Sequence, residues 1–177
     1  VIVVILVVAV IVVLIVSAFG IYAANDTDGR TLDSVQQEIS VSFDDELTRQ
    51  LQYLQDYDYD KLAVRPAPQI TRWNDIIAVY AVLSQHDGKV AIEMTDDAVE
   101  RLTQVVSAMI SYEASVEELT YTETDADGNQ TSHSVKVGIV NVLYKTPEEM
   151  ADKYGFTADE RALLKEIVDT QAFDALR

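Results

Sequence analysis

VEELTYTETDADGNQTSHSVKVGIVNVLY, residues 116–144, is the stretch that decides the fold class. Two runs rich in Val, Thr and Tyr, Val116 to Glu123 and Thr131 to Tyr144, flank Asp125-Ala126-Asp127-Gly128-Asn129, and this composition predicts a β-hairpin. In the second run Val135, Val137 and Ile139 share one phase of the strand period, whereas Val140, Val142 and Tyr144 share the other. A bulge beside Gly138 would reconcile the two phases. A lone hairpin is marginal in water, so the ribbon is expected to lie on helices or to pair with another sheet.

Helices are expected on both sides of it. Toward the C-terminus, Thr146-Pro147-Glu148-Glu149 supplies an N-cap, Pro at the first helical position and Glu at the third, and Gly155 stops that short helix. Thr157-Ala158-Asp159-Glu160 repeats the device for a last helix with Leu163, Leu164, Ile167 and Val168 on its apolar face. Before the hairpin, Thr95-Asp96-Asp97 opens a helix whose apolar face is Val99, Leu102, Val106, Met109 and Ile110. Earlier still, Thr71 is expected to cap a helix with Trp73, Ile76, Ile77, Tyr80 and Leu83 on one side, ended at Gly88. The span Tyr53 to Gln69, with Asp56-Tyr57-Asp58-Tyr59-Asp60 and Arg65-Pro66-Ala67-Pro68, reads as an irregular loop because the prolines bar a helix.

From Thr31, Leu32, Val35, Ile39, Phe43, Leu47, Leu51 and Leu54 recur at spacings of three and four, the mark of an amphipathic helix. Its stripe suits packing on its own domain, with a coiled coil between neighbouring copies as the rival use. In front of it, Val1 to Val16 contains no polar side-chain atom, and the apolar character continues through Ala24. Such a length reaches roughly 33–36 Å as a helix, enough for a hydrocarbon core of about 30 Å. A transmembrane anchor is therefore expected, with a cleaved signal peptide ending at Val16-Ser17-Ala18 as the rival. Val1 is not an initiator Met, so the start, with its diagnostic basic residues, is expected to lie upstream. The expected architecture is α+β and mainly helical: a transmembrane helix, an amphipathic stem helix, helices packed with one long β-hairpin, and two short C-terminal helices. Its expected parts are an anchor over 1–24, a stem and Tyr/Asp/Pro loop over 25–69, and a small extracytoplasmic domain over 70–177.

Charge sorts the function classes. The chain of 177 residues has a formal net charge of −17, and no Lys, Arg, Asp or Glu precedes Asp26. That balance speaks against nucleic acid as a partner, because phosphate binding needs clustered Lys and Arg. With no Cys there is no disulfide, thiolate metal site or cysteine nucleophile within these residues, a usage that fits a Gram-positive exported protein. The acidic body is expected outside a cell membrane.

Candidate chemistry is sparse. His86 and His133 are the only imidazoles, one in a loop and one in a strand, with no HExxH spacing. Glu123, Asp125 and Asp127 with Gly128 approach a calcium loop, but position twelve would be Ser134 where a bidentate Glu is needed, so they remain a weak cation candidate beside the plainer hairpin turn. The Asp56 to Asp60 alternation offers stacking to a sugar or a carboxylate to a cation, against the plainer reading of a solvated helix end. Asn25-Asp26-Thr27 matches a glycosylation sequon and is read as chance. With 30 acids, paired carboxylates arise by coincidence, and no GxSxG, Walker loop or GxGxxG occurs. No catalytic residue, cofactor or metal is assigned.

Phe19-Gly20-Ile21, the segment Trp73-Asn74-Asp75-Ile76-Ile77-Ala78-Val79-Tyr80-Ala81-Val82, and Lys145-Thr146-Pro147-Glu148-Glu149-Met150-Ala151-Asp152-Lys153-Tyr154-Gly155-Phe156-Thr157 are together similar to the N-terminal half of cell-wall hydrolases carried by conjugative mobile elements of Gram-positive gut bacteria. The resemblance implies a membrane anchor, a helical stem and an α+β region ahead of a C-terminal peptidoglycan peptidase of the NlpC or CHAP kind. The catalytic Cys and His of that family belong to the peptidase, so no catalytic residue carries over to this chain. The implied role is a non-catalytic, membrane-tethered module that positions the hydrolase, with cell-wall or conjugation-channel proteins and the lipid bilayer as partners and a homo-oligomer through the stem helix as a further expectation. The alternatives are a scaffold subunit of a conjugation (type IV secretion) channel and a carboxylate-based muramidase.

Overall fold

A computed structural model describes residues 30–65, 72–89, 94–125 and 127–171. They form helices α1 (Leu32–Leu54), α2 (Trp73–His86), α3 (Asp96–Met109), α4 (Pro147–Tyr154) and α5 (Ala158–Asp169), with strands β1 (Lys61–Arg65), β2 (Ile110–Thr124) and β3 (Gln130–Tyr144). The class is α+β and mainly helical. The expected anchor over 1–24, the signal-cleavage rival and the sequon at Asn25 lie outside the described residues. Among the described residues no helix is long and apolar enough to cross a membrane.

The chain divides by contacts into two compact units. One draws on α1 up to Ser40, on the chain as far as Ile110 and on the chain from Tyr144; the other on Val41 onward through β1 and on Ser111–Leu143. The hairpin, expected within one body over 70–177, thus groups with the later turns of α1. The α1 stripe is covered within the chain: Leu32, Val35, Ile39, Phe43, Leu47 and Leu54 are all buried. A coiled coil would need that same face. Thr31 begins the helix by accepting the Ser34 N–H on its hydroxyl at 3.2 Å.

In the first unit α2 is the central element and packs on α3, α4 and α5. The expected one-sided stripe is corrected: Trp73 and every residue from Ile76 to Ser84 are buried. Ala78, Val79, Ala81 and Val82 fill the face that would otherwise be polar, and a helix apolar all round belongs in a core. Its N-cap is Arg72, which makes no side-chain cap bond, rather than Thr71, which lies outside the described residues. At the other end Gly88 (φ 64°) turns the chain, with Lys89 N–H donating to Ser84 at 2.8 Å and Gly88 N–H to Gln85 at 3.0 Å. Only a residue without Cβ adopts that left-handed conformation at little cost.

Helix α3 starts as expected, Thr95 accepting the Ala98 N–H. Val105 joins Leu102, Val106 and Met109 in the core, while Val99 is half-buried. Ile110, expected on the helix face, is already extended (φ −117°, ψ 132°), so α3 runs into β2 without a loop. Both terminal helices carry complete capping boxes. Glu149 accepts the Thr146 N–H at 2.6 Å while Thr146 accepts the Glu149 N–H at 3.2 Å. Thr157 and Glu160 repeat the exchange at 2.7 and 3.3 Å. Each box satisfies two donors that a helix N-terminus otherwise leaves unpaired.

In the second unit the sheet order is β1-β3-β2. The expected irregular loop is corrected by β1, which pairs parallel with β3 from Lys61↔Val137 to Arg65↔Asn141. Asp60 starts this pairing: its N–H donates to Lys136 at 2.8 Å and its carboxylate accepts the Lys136 N–H at 2.9 Å. The pairing runs residue for residue through Gly138, so the β1 side holds no bulge there. The two phases of β3 have another cause. Val137, Gly138, Ile139 and Val140 are all buried, and a central strand covered on both faces loses the alternation of a half-buried one. A Cβ on Gly138 would meet the Tyr59 ring at 3.2 Å, so glycine is needed for that close approach.

Strand β2 begins at Ile110, six residues before the expected Val116. Ser111, Glu113, Ala114 and Ser115 carry little strand propensity, and their extension comes from packing. Tyr112, Ala114 and Val116 lie on a cluster of Leu47, Leu54 and Val140, joined by Leu51, Tyr59 and Val64. From Glu117 to the end of β2 every residue is exposed.

Candidate functional site

Among the described residues, a group of chemically capable side chains lies in the first unit, where the C-terminus of α2 meets the start of α5. His86, the last residue of α2, places Nδ1 at 3.0 and 3.1 Å from the two carboxylate oxygens of Glu160. An ionised carboxylate only accepts, so the imidazole donates from Nδ1. Glu160 also accepts from the Thr157 N–H and, at 2.9 Å, from the Thr157 hydroxyl. Burial raises the affinity of this carboxyl for a proton, but the Thr157 amide, the His86 ring and the Thr157 hydroxyl outweigh it and hold the group below its ordinary range. The Phe156 ring lies 5.7 Å from the imidazole, and Tyr154 stacks on Phe156 at 5.9 Å.

Beside this pair Asp87 accepts from Arg101 at 2.5 Å, which lowers the Asp87 carboxyl, and burial raises the Tyr154 hydroxyl. Arg161 ties α5 back to α4: it donates to the Phe156 carbonyl at 3.0 Å and pairs with Asp152 at 2.8 Å and Glu148 at 3.2 Å. A carboxylate–imidazole pair can orient a base for proton transfer. Here the carboxylate also accepts two donors from its own helix end on Oε2, and the pair joins α2 to α5.

The weak cation candidates are engaged separately. Asp125 accepts on one carboxylate oxygen from the Asp127 N–H at 3.0 Å and the Asn129 N–H at 2.8 Å, and on the other from the Asn129 side-chain amide at 2.9 Å. The Asn129 side chain, then its backbone, hold the Asp125 carboxyl below the usual range. Glu123 lies 3.5 Å from His133 Nε2, and the His133 ring stacks on Tyr121 at 5.4 Å. Asp127 is exposed at the tip. Among the described residues no group of three or more His, Asp or Glu is placed to hold a metal ion. His86 and His133 belong to different units.

The Tyr/Asp alternation divides its work. Tyr59 lies against Gly138, Asp60 bonds the β3 backbone, and Asp58 pairs with Lys136 at 3.1 Å, which raises the lysine ammonium. Tyr53 and Tyr57 are exposed, with rings 5.2 Å apart and hydroxyls at 2.5 Å, and that hydrogen bond raises the Tyr57 hydroxyl. Sequence reasoning placed His86 in a loop, which is corrected because His86 is the last residue of α2, and it placed Glu160 in a capping box but missed their meeting. Their separation of 74 residues leaves no local signal to find it. No protein-family model, curated protein or solved structure matches the chain.

Proposed function

We propose that the chain is a non-catalytic, membrane-tethered extracytoplasmic module that positions a peptidoglycan hydrolase of a conjugative mobile element. The observation that carries the tether is the head, Val1 to Val16, which has no polar side-chain atom and stands ahead of a body that contains all the acids of the chain. The non-catalytic role is supported by the way the best-placed carboxylates are used. Glu149 and Glu160 each accept cap donors on Oε2, and Asp125 accepts turn donors on both oxygens, a use of carboxylates in holding shape. The scaffold reading, a subunit of a conjugation channel, gains support from the exposed outer half of the hairpin, which offers a surface to another protein.

The test is direct. Full-length protein in detergent, mixed with purified peptidoglycan, is expected to release no soluble muropeptides by liquid chromatography and mass spectrometry. Release that stops on replacing one carboxylate by its amide would establish the muramidase reading instead. Capture of channel subunits, with no hydrolase among them, would favour the scaffold.

A further inference from the structure

We propose that the free edge of β2 is a docking strip for an extended, basic segment of another protein, an inference independent of the hydrolase reading. Among the described residues, strand β2 is a terminal strand of its sheet, bonded only to β3. Its 15 residues are long for an edge, since exposed edges are ordinarily short or blocked. Asp125 donates its N–H to the Asn129 carbonyl at 3.0 Å, so odd-numbered residues of β2 direct their backbone groups toward β3. Even-numbered residues, Glu118, Thr120 and Thr122, direct theirs away from it. Lys136 fits the same alternation, because its carbonyl and N–H face Asp60 on the β1 side. All of β2 from Glu117 onward is exposed.

The side chains select the occupant. One face of β2 reads Glu113, Ser115, Glu117, Leu119, Tyr121 and Glu123, with Leu119 39% and Tyr121 53% exposed. The strand contains Glu113, Glu117, Glu118 and Glu123 but no Lys or Arg. An added strand sets its side chains about 5 Å from these, so it fits best with apolar residues beside Leu119 and Tyr121 and Lys or Arg beside Glu117 and Glu123. A second copy of the chain is the wrong occupant. Antiparallel pairing of two β2 edges centred on Thr120 sets Glu117 against Glu123 twice, and in-register parallel pairing sets each glutamate beside its own copy.

The probe is the peptide Lys-Thr-Val-Thr-Val-Thr-Lys, titrated into full-length protein held in phosphatidylcholine nanodiscs. Saturable binding is expected, with about tenfold slower amide exchange at Thr120 and Thr122. The peptide Lys-Pro-Val-Pro-Val-Pro-Lys, equal in charge but short of backbone donors, is expected not to bind. Replacing Glu117→Gln together with Glu123→Gln is expected to weaken binding about tenfold. Thr122→Pro removes one outward donor and is expected to abolish binding while β3 amides keep their protection. The inference is overturned if the proline peptide binds equally, if the double glutamine variant binds as the parent does, or if Thr120 and Thr122 become protected by raising protein concentration alone.

Discussion

The helical unit built on α2 and the sheet unit built on β3 differ in how much of their polar surface is engaged. In the first, helix ends close on themselves: two capping boxes, two glycine stops with positive φ, and the His86–Glu160 tie. In the second, β3 is buried through its middle, yet the outer half of the hairpin stands exposed with acids, threonines, Leu119 and Tyr121. The contrast separates residues that hold shape from residues that stand exposed, where the proposed partner would dock. Substitutions should therefore cost stability in the first group and association in the second.

The largest expected effect tests that separation. Ile77→Ala, inside the helix that is buried on all sides, is expected to cost about 2–5 kcal/mol in chemical denaturation, while Leu119→Ala on the exposed hairpin stays within about 0.5 kcal/mol. Equal costs would erase the distinction. Next, Gly138→Ala forces a methyl against the Tyr59 ring and is expected to cost about 1–3 kcal/mol. The φ of Gly138 is not positive, so the cost is steric; a Tyr59→Ala background should remove most of it, and an unchanged penalty there would place the strain elsewhere.

Smaller effects sharpen the account. Glu160→Gln weakens both the α5 cap and the tie to His86 and is expected to cost about 1 kcal/mol near neutral pH. The Glu160 carboxyl is held below its ordinary range when folded, so its stabilisation is present above the unfolded value and is lost as pH falls through the folded one. The gap between parent and variant should close in acid; a gap constant down to pH 2 would remove ionised Glu160 as the cause. The smallest change is expected at the hairpin tip. Asp125→Ala frees the Asp127 and Asn129 amides, which should exchange faster with the global unfolding midpoint unchanged.

What the sequence made legible follows the range of the interactions. The capping boxes at Thr146 and Thr157, the stop at Gly155 and the α1 stripe are decided within a turn or two of chain, and local spacing reveals them. Strand β1 was hidden because Lys61 to Arg65 is short and precedes two prolines, and its extension depends on β3, far along the chain. The early start of β2 was hidden for the same reason: Glu113, Ala114 and Ser115 are strand residues by packing alone. The two phases of β3 were visible, but their cause was not, since a strand covered on both faces and a bulged strand leave the same pattern. At the candidate site the two ends of the His86–Glu160 tie were legible singly and the tie was not.

The proposed display of an acidic body outside the membrane by an apolar tether is open to direct test. Because residues 1–177 contain no Cys, Asn129→Cys at the exposed hairpin tip places a single thiol within them. Intact cells of the natural host producing this variant, treated with a membrane-impermeant maleimide, are expected to yield labelled protein that stays with the membranes after carbonate extraction. Labelling only after lysis, or protein recovered in the carbonate-soluble fraction, would contradict the account.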